Sequence, residues 1–295
     1  MKLMTALITL ENTDNINKKV KVGEEILKMY GSNIYLEVGE EITIKDLLYG
    51  MLLRSGNDAA TVLAKITFND ENKFVEEMNK KAKEIGMKDT VFKNPTGLDE
   101  DTKNISTALD MAKLSRYIYN NYEVYRIISA TKKYQTNTKK KTYIWFNRNE
   151  LLSKYKYATG GKTGYTPKAG RTLVTTATKN NLNLTIVSLD DDNFYDTHEY
   201  LYEMCFKKYK NYKILDKKRF TVSKKIFNED VYIKRSFSYP LTILEKEEVN
   251  MIIQIDKKKR YKNNEQVGVV IIKLKEKVLK KIPIYINKKK RFHLF

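Results

Sequence analysis

Two dense apolar runs separated by one short polar turn constrain this chain more than any other feature. "ITIKDLLYGMLL" is followed by "RSGN" and then by "DAATVLAKITF". Thr43, with Asp46 three residues on, has the form of a capping box at the head of the first run. Asn57 or Asp58 is placed to cap the second. Both runs therefore read as helices joined by a tight bend, and neither approaches the roughly 18 apolar residues that would cross a bilayer. With 41% hydrophobic residues in 295, the chain has the material for a buried core.

The rest of the first two thirds is mixed, with helices prominent. "NKFVEEMNKKAKEIG" places Phe74, Val75, Met78, Ala82 and Ile85 on one helical face and ends on Gly86, a helix stop. "STALDMAKLSRYIYNN" predicts a further helix with Leu109, Ala112, Leu114 and Ile118 apolar. "YRIISATKKYQTN" passes from helix to strand. "GRTLVTTATKNNLNLTIVSL" predicts a hairpin turning at Lys179-Asn180-Asn181. "DTHEYLYEMCFKKY" closes the region as a helix. From about residue 214 the runs become short and rich in Val, Ile and Tyr, as in a small all-β domain. The expected organisation is a mixed helix-and-strand domain over 1–210, a β-rich domain over 214–287 joined through "KNYKILDKK", and a basic tail over 288–295.

Composition excludes several chemistries. One cysteine, Cys205, allows no disulfide framework and no Cys-rich metal site. The two histidines are His198 and His293. His198-Glu199 lacks a second histidine at Tyr202, so the zinc-protease helix pattern fails. Nucleophilic chemistry here needs another base, and lysine is the candidate. The net charge of +20 favours polyanionic partners. The lysines are spread along the whole chain without a basic-aromatic recognition motif, so a solvated basic surface is expected, and nucleic acid is not an expected partner.

Three short stretches carry candidate chemistry: "MKLMTA", "LLRSGNDAA" and "GGKTGYTPKAGRTLV". Each alone is common. Taken in order, the chain resembles the serine-type D-alanyl-D-alanine carboxypeptidases, the low-molecular-mass penicillin-binding proteins. That family shares S-x-x-K heading a helix, S-x-N between helices and K-T-G on a strand. "KLMTALITLE", "FKNPTGLD" and "NRNELL" are also family-like, and the resemblance covers nearly the whole chain. It implies an α+β penicillin-binding/β-lactamase-like domain, with an antiparallel sheet and a helical cluster, followed by the small all-β domain.

The resemblance also implies roles. Lys2 is the base of S-x-x-K, with a pKa lowered by burial and neighbouring cations. Ser55 and Asn57 complete a proton relay and hold the substrate amide. Lys162 helps depress the pKa of Lys2 and attracts the substrate's terminal carboxylate, and Thr163 hydrogen-bonds that carboxylate. Gly164 admits the substrate backbone, and the N–H of Tyr165 is an oxyanion donor. Asn94, Gly97 and Asn149 read as loop structure, Arg171 as a solvent-facing or structural residue, and Trp145 as packing.

The implied reaction removes the terminal D-alanine of peptidoglycan stem peptides through an acyl-enzyme, with no metal and no cofactor. β-Lactams are the implied covalent inhibitors, and the cell envelope outside the cytoplasmic membrane is the implied location. The basic end of the chain is a candidate for contact with a membrane surface. The serine of the pattern falls two residues before Met1, so these 295 residues are expected to be inactive alone and to leave a sheet edge unpaired, favouring aggregation. The alternative reading is a non-catalytic module that binds peptidoglycan or β-lactams on the same fold.

Overall fold

The computed structural model describes residues 1–100, 103–225, 227–256 and 260–288. Most of the basic tail expected over 288–295 lies outside them. The chain forms two compact units, Met1–Lys179 with Asn183–Glu203, and Asn180–Leu182 with Met204–Phe295.

The first unit opens with α1 (Lys2–Glu11), the short paired strands β1 (Lys19–Lys21) and β2 (Glu41–Thr43), then α2 (Ile44–Arg54), α3 (Asn57–Phe68) and α4 (Glu71–Ile85). After a loop come α5 (Ala108–Asn121), α6 (Glu123–Ala130), the hairpin β3 (Lys133–Asn137) and β4 (Thr142–Phe146), and the single turn α7 (Leu151–Lys154). A three-stranded sheet follows in the order β5 (Ala158–Thr166), β6 (Gly170–Lys179), β7 (Leu182–Ser188). Helix α8 (Phe194–Lys208) leads out of the unit.

Helices α1, α2 and α3 make the centre. Leu3, Met4, Leu7 and Ile8 of α1 pack with Leu47, Leu48, Met51 and Leu52 of α2 and with Val62 and Leu63 of α3. Lys2, Thr5 and Thr9 of α1 are buried as well, so no side of that helix over Lys2–Thr9 faces water. The N-terminus of α2 is capped by the Thr43 hydroxyl, which accepts from the Asp46 N–H at 3.0 Å. The box is not reciprocal: the Asp46 carboxylate instead receives the Thr43 hydroxyl and the phenol of Tyr134.

The predicted cap of α3 is corrected. Gly56 is the N-cap. The carboxylate of Asp58 accepts from the remote main-chain N–H groups of Ile34 and Leu36, at 3.0 and 3.1 Å. In α5, Leu109 is 67% exposed, and Met111 joins Leu114 and Ile118 in the core. Leu109 precedes Leu114 by five residues, about 140° around the helix, whereas Met111, Leu114 and Ile118 share a face. The β6–β7 turn is also tighter than predicted: Asn180 and Asn181, with φ of 50° and 60°, make it as a pair.

The second unit contains β8 (Lys210–Leu215), β9 (Val231–Tyr232), β10 (Phe237–Leu241), the short helix α9 (Ile243–Glu247), β11 (Val249–Ile255), β12 (Gln266–Leu274) and β13 (Lys277–Ile286). β8 pairs with β10, and the other strands form an antiparallel sheet in the order β11-β12-β13-β9. Val267, Val270, Ile272, Ile282, Ile284 and Ile286 form its core with Phe227 and Leu215.

Candidate active site

Lys2 is the first residue of α1, and the helix delivers it into a buried position, 9% exposed. Its ammonium donates to Oδ1 of Asn57 and to the carbonyl of Thr96, both at 2.7 Å. The Thr96 loop is rigid for local reasons. The Asn94 side chain donates to the carbonyl of Leu98 and accepts from the N–H of Gly97, each at 2.7 Å. The hydroxyl of Thr5 donates to the carbonyl of Pro95 at 2.6 Å, fixing this loop to α1.

Ser55 terminates α2 in a left-handed conformation, φ 66° and ψ 32°. A non-glycine residue held there is uncommon and is stabilised only by its surroundings. Asn57 follows at the start of α3. Its amide donates to the carbonyl of Tyr30 at 2.7 Å while its oxygen holds Lys2, so the orientation of the amide is set from both ends.

The opposite wall is β5, a strand paired on one side with β6. Lys162 is 9% exposed, and its ammonium donates to the carbonyl of Thr163 at 2.6 Å. Two glycines of "GGKTG", Gly161 and Gly164, are crowded by the neighbouring strand. A Cβ on Gly161 would lie 2.3 Å from the carbonyl oxygen of Val174, and one on Gly164 2.5 Å from the hydroxyl of Thr172. Gly164 therefore has a packing reason as well as the access reason read from the sequence.

These walls enclose a cavity of about 400 Å³. Lys2, Ser55, Lys162, Thr163, Gly164 and Tyr165 all line it. Asn57 reaches it through the ammonium of Lys2. Among residues not singled out from the sequence, Thr96 and Asp99 line it too. Asp99 joins the two walls: it accepts from the hydroxyl of Thr166 at 2.6 Å, and its carbonyl accepts from Lys168 at 2.7 Å.

Burial pushes the Lys2 ammonium down to about 7, the Arg148 guanidinium adds to that, and Asp58 opposes it. Lys162 is held well below the ordinary lysine range, first by burial, then by the charges of Lys2 and Arg148. Arg148 is a further cation acting on Lys2, and the repulsion between Lys2 and Lys162 couples the two lysines. Arg148 donates to the Ser32 hydroxyl at 2.9 Å. It lies in "NRNELL", where the sequence reading singled out Asn149 instead.

The other residues singled out have structural surroundings. Asn149 accepts from the N–H of Leu151 at 3.3 Å, at the start of α7. Arg171 pairs with Asp192 at the surface, and Trp145 packs against Tyr143 and Tyr134 in the core. His198 is buried away from the cavity, bonded to Thr175 at 2.7 Å, and burial pushes it down to about 4.

Residues 1–193 match the family model described as D-alanyl-D-alanine carboxypeptidase, peptidase S11. The chain belongs to the D-alanyl-D-alanine carboxypeptidase family. Among family relatives, it is 31% identical over 300 residues to D-alanyl-D-alanine carboxypeptidase DacF of Bacillus subtilis, covering 96% of this chain and 76% of that one. The structure of a D-alanyl-D-alanine carboxypeptidase from Mycobacterium tuberculosis is 30% identical, with a TM-score of 0.66 over 70% of this chain and 80% of that one. Penicillin-binding protein 5 from Haemophilus influenzae shares the fold, with a TM-score of 0.75 over 98% of this chain and 88% of that one at 24% identity. The mixed α+β architecture of this carboxypeptidase-family chain is that of its structural relatives.

Proposed function

We propose that the cavity between α1, the α2–α3 turn and β5 serves serine-type D-alanyl-D-alanine carboxypeptidase chemistry on peptidoglycan stem peptides. The observation that carries this reading is the direct bond from Lys2 to Asn57 in a cavity that Ser55, Lys162 and Thr163 also line. Cleaving a peptide beside a free carboxylate requires a base, a proton path, an oxyanion donor and an anchor for the carboxylate. Lys2, with a pKa near 7, is a base poised for neutral pH. Ser55 relays the proton and Asn57 orients both Lys2 and the substrate amide. Lys162 and Thr163 receive the terminal carboxylate, and a charged ligand restores to Lys162 the stabilisation that burial removes. The unpaired side of β5 offers main-chain groups to an extended peptide, with the N–H of Tyr165 as oxyanion donor.

The nucleophile in this reading is the S-x-x-K serine, whose place is two residues before Met1. The test compares residues 1–295 alone with a polypeptide extended upstream to carry that serine. The extended form is expected to be labelled by a fluorescent penicillin and to release D-alanine from an acyl-D-Ala-D-Ala peptide. Residues 1–295 alone are expected to do neither. Labelling of residues 1–295 alone, or an extended, folded form that stays inert, would overturn the assignment. Reversible binding of the peptide with no turnover by the extended form would favour the non-catalytic module. The reading implies a location in the cell envelope, outside the cytoplasmic membrane, and β-lactams as covalent inhibitors.

A further inference from the structure

Strand β11 is an edge of the second unit's four-stranded sheet, paired to β12 from Val249↔Leu274 to Ile255↔Gly268 without a bulge. Edge strands are ordinarily protected by charge, proline or irregularity. This one has none of these: "VNMIIQI" contains no Lys, Arg, Asp, Glu or Pro in a chain of net charge +20. Met251, Ile252 and Ile253 are 52%, 41% and 38% exposed. By register, Met251 and Ile253 stand opposite Ile272 and Val270, which belong to the buried core. The core face of the sheet therefore continues uncovered onto its edge.

The strand is self-complementary. Placed antiparallel to a second copy about a two-fold axis at Ile252, it sets Met251 against Ile253, Asn250 against Gln254 and Val249 against Ile255. Apolar residues meet apolar ones and amides meet amides on the correct faces. Shifting the axis to Met251 or Ile253 opposes an amide to an isoleucine. The neutral window is about 24 Å long at ~3.4 Å per residue. It is bounded by charges, Glu248 before it and Asp256 after it, and Lys273 lies opposite Asn250 on the next strand. Glu248 is paired with Lys275 at 3.3 Å, which lessens its repulsion of the partner's Asp256. A neutral strip on a strongly basic molecule is the place where two copies meet with least repulsion.

We infer that β11 is a homodimer interface: two copies join edge to edge about Ile252 into one continuous sheet. Directly opposed residues in such a pair have Cα atoms about 4.5–5.5 Å apart, within reach of a disulfide. In a Cys205→Ser background, Ile252→Cys is expected to oxidise to a covalent dimer. Asn250→Cys and Gln254→Cys are each expected to form no covalent dimer when oxidised alone, but to cross-link when mixed.

Light scattering of the unmodified chain should show a concentration-dependent dimer. Ile252→Lys, which sets two ammonium groups against each other at the axis, should weaken it on the order of tenfold or more while the thermal transition of the monomer is retained. A chain that stays monomeric up to about 100 µM, cross-links formed equally by all three cysteines, or open assemblies larger than a dimer would overturn the inference. So would monomers whose β11 edge is instead covered by a lipid vesicle.

Discussion

Lys2 holds a proton less readily than a free lysine because it is buried beside Arg148, and its pKa falls from 10.5 to about 7. Two consequences follow with definite sign. Penicillin acylation of the serine-bearing polypeptide should fall as pH drops through about 7, and Lys2→Arg should abolish it, because a guanidinium does not deprotonate in this range. In unfolding, the denatured chain binds more protons than the folded one between about pH 7 and 10.5. This group therefore makes stability rise with pH across that window, by at most ~1.4 kcal/mol per pH unit. Lys2→Met should flatten that rise, as read by urea unfolding at pH 7 and pH 9. Asn57→Asp places an anion on the ammonium and should move the Lys2 titration, followed by NMR, upward. The triplets that name the site were legible because they are contiguous. Arg148 was not, since its influence crosses space from a stretch whose own hydrogen bonds look structural.

At the scale of elements, periodicity gave helices and strands with fair accuracy and misplaced what depends on partners. Thr43 capped α2 as read, because a cap is settled by neighbours in sequence. Asp58 did not cap α3, because its carboxylate is claimed by the Ile34 and Leu36 amides, more than twenty residues away. That claim makes it a brace for the segment that also contacts Asn57 through Tyr30. Asp58→Ala should leave buried donors unmatched and cost about 2–4 kcal/mol, measured by urea unfolding. A loss under about 0.5 kcal/mol would show that the segment is held by other contacts. The exposed apolar edge at β11 could not be read from sequence either, since its alternation resembles that of any core strand until no strand among the described residues proves to pair with its far side.

At the scale of the whole molecule, two lysine ammonium groups line one small cavity, and burial lowers the pKa of each. Lys162 is held well below its usual range first by burial and then by the charges of Lys2 and Arg148, so arrival of a carboxylate should raise the pKa of the lysine pair. Ligand capture is then also a titration of the solvent. Calorimetry of an acyl-D-Ala-D-Ala peptide at pH 7 should give a heat that changes with the ionisation enthalpy of the buffer, with net protons absorbed. The same peptide ending in an amide should bind weakly and give a heat that is the same in every buffer. The resting cavity thus carries less positive charge than its two lysines would in water, and an entering anion draws more of that charge out.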